Sequence, residues 1–129
     1  MTDAKSKHVL IVDDAALVRA YYRKALEGAG YQVDEALNGL EALEKVLLRS
    51  FDLLVVDINM PQMDGMTFLR ALREKELPLS AIPALVTSTE SGPQDVSSAR
   101  AAGANYYAVK PLSQTTLTEL VGMLCGVTA

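Results

Sequence analysis

Residues 51–57 read FDLLVVD, and this stretch constrains the chain more than any other. Leu53, Leu54, Val55 and Val56 form an unbroken apolar run, the pattern of a strand covered by helices on both faces of a parallel sheet. The run stops on Asp57. Open α/β sheets bind ligands beyond the carboxyl ends of their strands, so Asp57 falls where chemistry is expected. A second apolar run, Val9 to Val12, stops in the same way on Asp13 and Asp14. If the two strands are parallel neighbours, roughly 4.8 Å apart, three carboxylates crowd into one volume. Like charges that close require a counter-charge. A cation with all-oxygen ligands meets that need, and Mg²⁺ suits such a set.

Strand-like and helix-like segments alternate around these runs. The patterning predicts strands over about 7–12, 31–36, 51–57, 82–87 and 104–109. It predicts helices over about 15–28, 39–49, 65–75, 93–102 and 113–125. Asn38 and Ser113 are placed to cap the second and last helices, and Pro93 to open the fourth. The mixed polarity of YQVDEA suits an edge strand. The first helix carries Val18, Tyr21, Tyr22, Ala25 and Leu26 at helical spacing, with Arg19, Arg23 and Lys24 on its wet side. The second carries Leu40, Ala42, Leu43, Val46 and Leu47. The fourth has little apolar area, and Val96 is its one sizeable anchor. Asp64-Gly65 reads as a turn at the start of the third helix. Such alternation argues for a parallel sheet with right-handed crossovers. Four of the five strands then end on polar groups at one edge: Asp13-Asp14, Asp57, Thr87 and Lys110.

Composition narrows the function classes. Half of the 129 residues are hydrophobic, enough for one well-formed core. The net charge of −4 and the lack of a basic stripe argue against nucleic acid. The single cysteine, Cys125, excludes an internal disulfide and reads as packed on the last helix. No apolar run reaches the roughly 18 residues of a membrane span, and no signal-peptide core follows the N-terminus. A cytoplasmic, monomeric protein is expected: residues 1–6 flexible, one domain over 7–126, a short tail over 127–129, and no output domain. His8 opens the first strand and is assigned no phosphotransfer role.

The strand-end set suits phosphoryl transfer. An Asp carboxylate can accept a phosphoryl group. The reaction asks mainly for positioning and charge neutralisation. A Lys ammonium is a compact point charge for a phosphoryl oxygen, and a Thr hydroxyl can donate to another. VDD at 12–14, VVDINMPQMDG at 55–65, VTS at 86–88 and AVKP at 108–111 are all present and in order. With these motifs the chain resembles, over residues 7–126, the response-regulator receiver domains of two-component systems, and most of all their stand-alone chemotaxis members. The resemblance implies a doubly wound, flavodoxin-like (βα)₅ sandwich with strand order 2-1-3-4-5. It implies Asp57 as phosphoacceptor, Thr87 and Lys110 on the phosphoryl group, and a cis Lys110-Pro111 bond. It implies Mg²⁺ on Asp14, Asp57 and the main-chain carbonyl of Asn59, with Asp13 acting through water. Thr87 and Tyr107 would form the switch, and Asn59 and Thr89 would tune phosphoryl lifetime. The donor would be a sensor histidine kinase or a histidine phosphotransfer protein. A downstream protein would read the face of helix four, strand five and helix five. The pattern departs in Leu112, where the family often has Phe, and in Tyr106, which has no counterpart.

Other classes fit less well. A haloacid-dehalogenase-like phosphatase wants nucleophile and acid two residues apart on strand one, and Asp13 and Asp14 are adjacent. A flavodoxin-type carrier would place Ser, Thr or Gly around a flavin phosphate, where Asp13-Asp14-Ala15-Ala16 would repel it. An unphosphorylated scaffold is disfavoured by the intact residue set. A phosphate sink or relay intermediate remains the alternative to an output regulator. Taken singly, each residue has a plainer reading: Asp14 as a helix cap, Lys110 as a surface charge, Thr87 as a β-branched strand residue, Tyr107 as core edge.

Overall fold

In a computed structural model, which describes residues 7–127, five parallel strands lie in the order β2-β1-β3-β4-β5. The strands are β1 (His8–Val12), β2 (Gln32–Ala36), β3 (Leu53–Asp57), β4 (Ala84–Ser88) and β5 (Tyr106–Val109). They alternate with α1 (Ala16–Gly28), α2 (Gly39–Leu48), α3 (Gly65–Arg73), α4 (Pro93–Ala102) and α5 (Gln114–Cys125). This is the flavodoxin-like α/β fold expected from the sequence. The expectations for residues 1–6 and for the last two residues lie outside the described part. Among the described residues no helix is long and apolar enough to cross a membrane.

The sheet separates two cores. On one face Leu10, Val12, Leu54, Val56, Ala84 and Val86 pack under α2, α3 and α4. On the other, Val9, Ile11, Leu53, Val55, Leu85 and Ala108 pack under α1 and α5. The alternation follows from the two-residue side-chain period of a strand. β3 is buried at every position, as its apolar run requires.

Local signals set the helix ends. Asn38, Asp64 and Ser113 accept the backbone N–H groups of Glu41, Thr67 and Thr116 at 2.9, 2.8 and 3.0 Å. Pro93 opens α4, and Gly103 closes it at φ 115°, a conformation that favours glycine. The Lys110-Pro111 bond is cis, as expected.

Several expectations need correction. Leu40 and Leu47 do not face the core; they are 46% and 61% exposed. Tyr21 is exposed too. α4 is anchored by buried Ala99 and Ala102 rather than by Val96, which is half-buried. Arg19 and Arg23 are not a solvated face. Both ion-pair with Glu35, at 2.9 and 3.0 Å, and Arg23 also donates to Val33 O, clamping α1 onto β2.

Candidate functional site

The strand register assembles the site. Val12 pairs with Val56, so Asp13, the next residue, leaves the sheet beside Asp57. Asp57 pairs with Thr87, and Thr87 with Ala108, two residues before Lys110. Asp57, Thr87 and Lys110 thus share the sheet face of Val55, Leu85 and Ala108. Asp13, Asp57 and Thr87 are all buried, whereas Asp14 is exposed.

Lys110 ties the acids together. Its Nζ lies 2.8 Å from Asp13 Oδ2 and 3.1 Å from Asp57 Oδ1. The other Asp13 oxygen, Oδ1, accepts the Ala15 N–H at 2.9 Å. Arg19 donates to the main-chain oxygen of Asp13 at 2.8 Å, fixing that residue from α1. Thr87 Oγ1 faces Val56 O at 3.5 Å, longer than an ordinary O–H···O bond.

The electrostatics follow from burial and crowding. Burial pushes the Asp57 carboxyl above its ordinary value, and the neighbouring charges of Asp13 and Asp14 add to this. Lys110 opposes the shift through charge and hydrogen bonding. For Lys110 itself burial disfavours the ammonium. Its hydrogen bond to Asp13 and the charges of Asp57 and Asp13 outweigh that and hold it charged.

One oxygen from each of Asp13, Asp14 and Asp57 lies within 4.8 Å of the others. Three carboxylates face one ammonium, so the set carries an excess of negative charge. All-oxygen donors at this spacing fit a hard divalent cation. The residues present therefore fit the Mg²⁺ that the sequence implied.

The remaining candidates sit around this cluster. Asn59 is exposed in the loop after β3, and Thr89 is exposed just after β4. The β3–α3 loop is held by α2: Gly39 N–H donates to Met63 O at 3.0 Å, and Asn38 Nδ2 donates to Gln62 Oε1 at 3.0 Å. Gln62 adopts a positive φ of 69° there. Tyr107 is half-buried on the opposite sheet face from Thr87, packed with the Val86 core. Its hydroxyl donates to Glu90 O at 2.7 Å, on the loop between β4 and α4.

Sequence reasoning missed three residues here. Gly65 is more than a turn: a Cβ would stand 2.3 Å from the Asp57 carbonyl oxygen, so only glycine lets α3 close under the site. Arg19 holds Asp13. Tyr22, read as a plain inward residue of α1, is 3% exposed and packs on the sheet face that carries Asp57 and Thr87, where burial pushes its phenol above the ordinary value. A signal existed for the last, because a buried phenol needs a polar partner and polar groups lie at the strand ends.

Comparison with known proteins agrees with this geometry. The family model of the response regulator receiver domain matches residues 9–122. The chain is 36% identical over 116 residues to the sensor protein EvgS of Escherichia coli K12, covering 90% of this chain and 9% of that one. It is 41% identical over 104 residues to a protein-glutamate methylesterase/protein-glutamine glutaminase of Archaeoglobus fulgidus, covering 80% of this chain and 29% of that protein. It thus spans under a third of these relatives' length. The solved Vibrio cholerae chemotaxis protein CheY4 superposes with a TM-score of 0.85 at 34% identity, covering 92% of this chain and 98% of that one. With its sheet order, its strand-end acids and a family match over most of its length, this chain belongs to the response regulator receiver domains.

Proposed function

We propose that this chain works as the phosphoryl-accepting receiver of a response regulator. It accepts a phosphoryl group on Asp57 from a partner's phosphohistidine, in a Mg²⁺-dependent reaction, and signals by phosphorylation-dependent protein binding. The observation that carries this is the Asp57–Lys110–Asp13 cluster at adjoining strand ends, with an excess of negative charge.

In this reading an Asp57 carboxylate oxygen attacks phosphorus. The new O–P bond forms as the P–N bond to the donor histidine breaks, and the departing imidazole keeps the electron pair. Asp14, Asp57 and the carbonyl of Asn59 would hold Mg²⁺ directly and Asp13 through water, and the ion would supply charge neutralisation for the phosphoryl oxygens. Lys110 turns from the carboxylates to a phosphoryl oxygen, and the Thr87 hydroxyl donates to another. Asn59 and Thr89, the latter short and uncharged, flank the path of the water that later hydrolyses the acyl phosphate. The switch runs through Thr87 and Tyr107 to the face of α4, β5 and α5, where a downstream partner distinguishes the two states by differential affinity. α4, held by small side chains, shifts at low cost. The protein acts as a cytoplasmic monomer.

Acetyl phosphate with Mg²⁺ should add one base-labile phosphate mass. Asp57→Asn should remove it, and labelling of that variant at another residue would overturn the assignment. A phosphate sink is the second reading. If a beryllofluoride complex shifts amides only at residues 13, 14 and 57–60, and not at 89–100 or Tyr107, the sink is favoured.

A further inference from the structure

Among the described residues one that is not glycine has a positive φ, Gln62 at 69°. It sits in the β3–α3 loop, shortly after Asn59. The Met63 N–H donates to Pro61 O at 2.8 Å across it, which closes a three-residue turn. With a positive φ this is the rare, strained form of that turn. A side chain at such a φ persists only where its surroundings hold it there.

The hold comes from the start of α2. Asn38 is 6% exposed, and both ends of its amide are used. Its Oδ1 accepts the Glu41 N–H at 2.9 Å and caps the helix. That bond commits the oxygen, so the other end is the NH₂ group, a donor. It donates to Gln62 Oε1 at 3.0 Å. Beside it, Gly39 N–H donates to Met63 O at 3.0 Å. A Cβ at Gly39 would stand 2.6 Å from Met63 Cγ and 2.9 Å from Met63 O, so helix start and loop are in close contact. α2 is in turn tied to β2, by Lys45 Nζ on Glu35 O and by Arg49 on Asp34. The tip of the loop thus hangs from a helix that is itself fixed. Its base is closed by Gly65 N–H on Ile58 O at 2.9 Å and by Ile58 N–H on Thr87 O at 3.2 Å. Asn59 lies between base and tip.

We propose that Asn38 is a positioning residue of the phosphorylation site: by holding Gln62 in its strained turn it fixes the β3–α3 loop, and with it the main-chain carbonyl of Asn59. The proposal rests on the reading of that carbonyl as a Mg²⁺ ligand. Without the hold, Gln62 relaxes toward negative φ, the region open to residues with a Cβ. The chain on either side then reorients. Met60, buried in the core with Val56 and Phe68, limits how far Asn59 moves. Mg²⁺ demands near-ideal octahedral geometry, so a small displacement of one ligand is felt. The consequence is a weaker metal site in a protein that still folds.

The test compares Mg²⁺ binding, followed by amide shifts, in variants at the two positions. Asn38→Ser keeps a good helix cap but is too short to reach Gln62. It should raise the Mg²⁺ dissociation constant about 3- to 10-fold, the worth of one hydrogen bond. Gln62→Ala removes the hold and keeps the strain, and should weaken binding as much. Gln62→Gly should bind more tightly than Gln62→Ala, because glycine takes a positive φ without a Cβ penalty. Adding Asn38→Ser to Gln62→Gly should change nothing further, whereas a role in capping alone would weaken both backgrounds equally. A second readout needs no metal: hydrogen exchange at the Met63 amide, which closes the turn. It should quicken on Asn38→Ser in the wild-type background and stay unchanged on the same substitution in Gln62→Gly. If Asn38→Ser does not fold, the comparison of Ala with Gly at position 62 decides. Equal weakening in both backgrounds, wild-type affinity in Asn38→Ser, Gln62→Gly no tighter than Gln62→Ala, or a Met63 amide indifferent to Asn38 would overturn the proposal while leaving Asp57 as acceptor. A wild type that shows no Mg²⁺ shifts at residues 13, 14 and 57–60 would instead overturn the metal reading, and this proposal with it.

Discussion

Replacing Asp57 with Asn should stabilise the metal-free protein, although it removes the centre of the site. Asp57 lies within 4.8 Å of both Asp13 and Asp14 and 3.1 Å from the Lys110 ammonium. At an effective dielectric constant of about 20, each repulsion at that spacing is worth about 3.5 kcal/mol and the attraction about 5 kcal/mol. Asp14 is exposed, and solvent screens its share, so the charge terms come close to cancelling. Burial of the carboxylate then decides the sign, in agreement with the upward direction of its pKa. An asparagine avoids that cost, and the expected gain is about 1–2 kcal/mol. For a domain of this size that is roughly 3–8 °C in Tm. The pH dependence has a definite sign. A carboxyl whose folded pKa is raised contributes stability that is present below its unfolded pKa and lost as pH rises through the folded value. The variant's advantage should therefore grow from acid pH upward and level off once Asp57 is ionised. Mg²⁺ should reverse the order, since at a hundred times its dissociation constant it adds about 2.7 kcal/mol to a protein that binds it only when folded. Thermal unfolding by circular dichroism, across pH and with and without MgCl₂, measures all of this. A variant less stable than wild type at neutral pH without Mg²⁺, or a gap that ignores pH, would refute the reasoning.

Three further outcomes follow from the same geometry. Gly65→Ala should cost about 2–4 kcal/mol and slow acetyl phosphate labelling, because the new Cβ would stand 2.3 Å from the Asp57 carbonyl; unfolding and labelling at wild-type values would show that α3 can shift freely. Arg73→Ala should cost about 2–4 kcal/mol in urea unfolding, since the guanidinium binds Gly103 O, Ser80 O, Ile82 O and Asn105 Oδ1 and joins the end of α3 to the end of α4; a loss below about 1 kcal/mol would mean that water replaces it. Cys125, buried on α5 with its thiol pushed up to about 11, should resist iodoacetamide at pH 8 until the protein is unfolded, and rapid alkylation of the native form would contradict its packing.

The site was legible because two double-sided apolar runs end on acid. Burial on both faces fixes those runs as central strands, and the parallel register then brings Asp13 beside Asp57 with no further information. What escaped the sequence depends on partners in three dimensions. Helical periodicity assigns Arg19 an angle on α1, but it cannot show that Glu35 on the edge strand waits at that angle. It groups Leu40 and Leu47 with the apolar residues of α2 because it counts spacing alone, whereas both are exposed and buried Ala42 and Val46 make the packing. It gave α4 to Val96 by size, while Ala99 and Ala102 make the close contact because they are small. Tyr107 and Tyr22 are both inward-capable aromatics in the sequence. Only strand alternation and helix packing place Tyr22, not Tyr107, on the face of Thr87.

That placement divides the molecule into a fixed side and a yielding one. Arg19 binds Asp13 O and Glu35, and Arg23 binds Val33 O and Glu35, so α1, β1 and β2 form one clamped unit that carries Asp13 and Tyr22. Lys110 is the site's link from that unit to the far edge of the sheet, through Asp13 at 2.8 Å. On the proposed reading a phosphoryl group on Asp57 draws Lys110 away from Asp13. The link to the clamped unit is then released, while Asp13 keeps its contacts to Ala15 and Arg19. Opposite the clamp, the loop after β4 is held to β5 by the Tyr107 hydroxyl on Glu90 O, and α4 rests on alanines. These contacts are fewer and smaller than the arginine clamp, so displacement at Asp57 and Thr87 is taken up there.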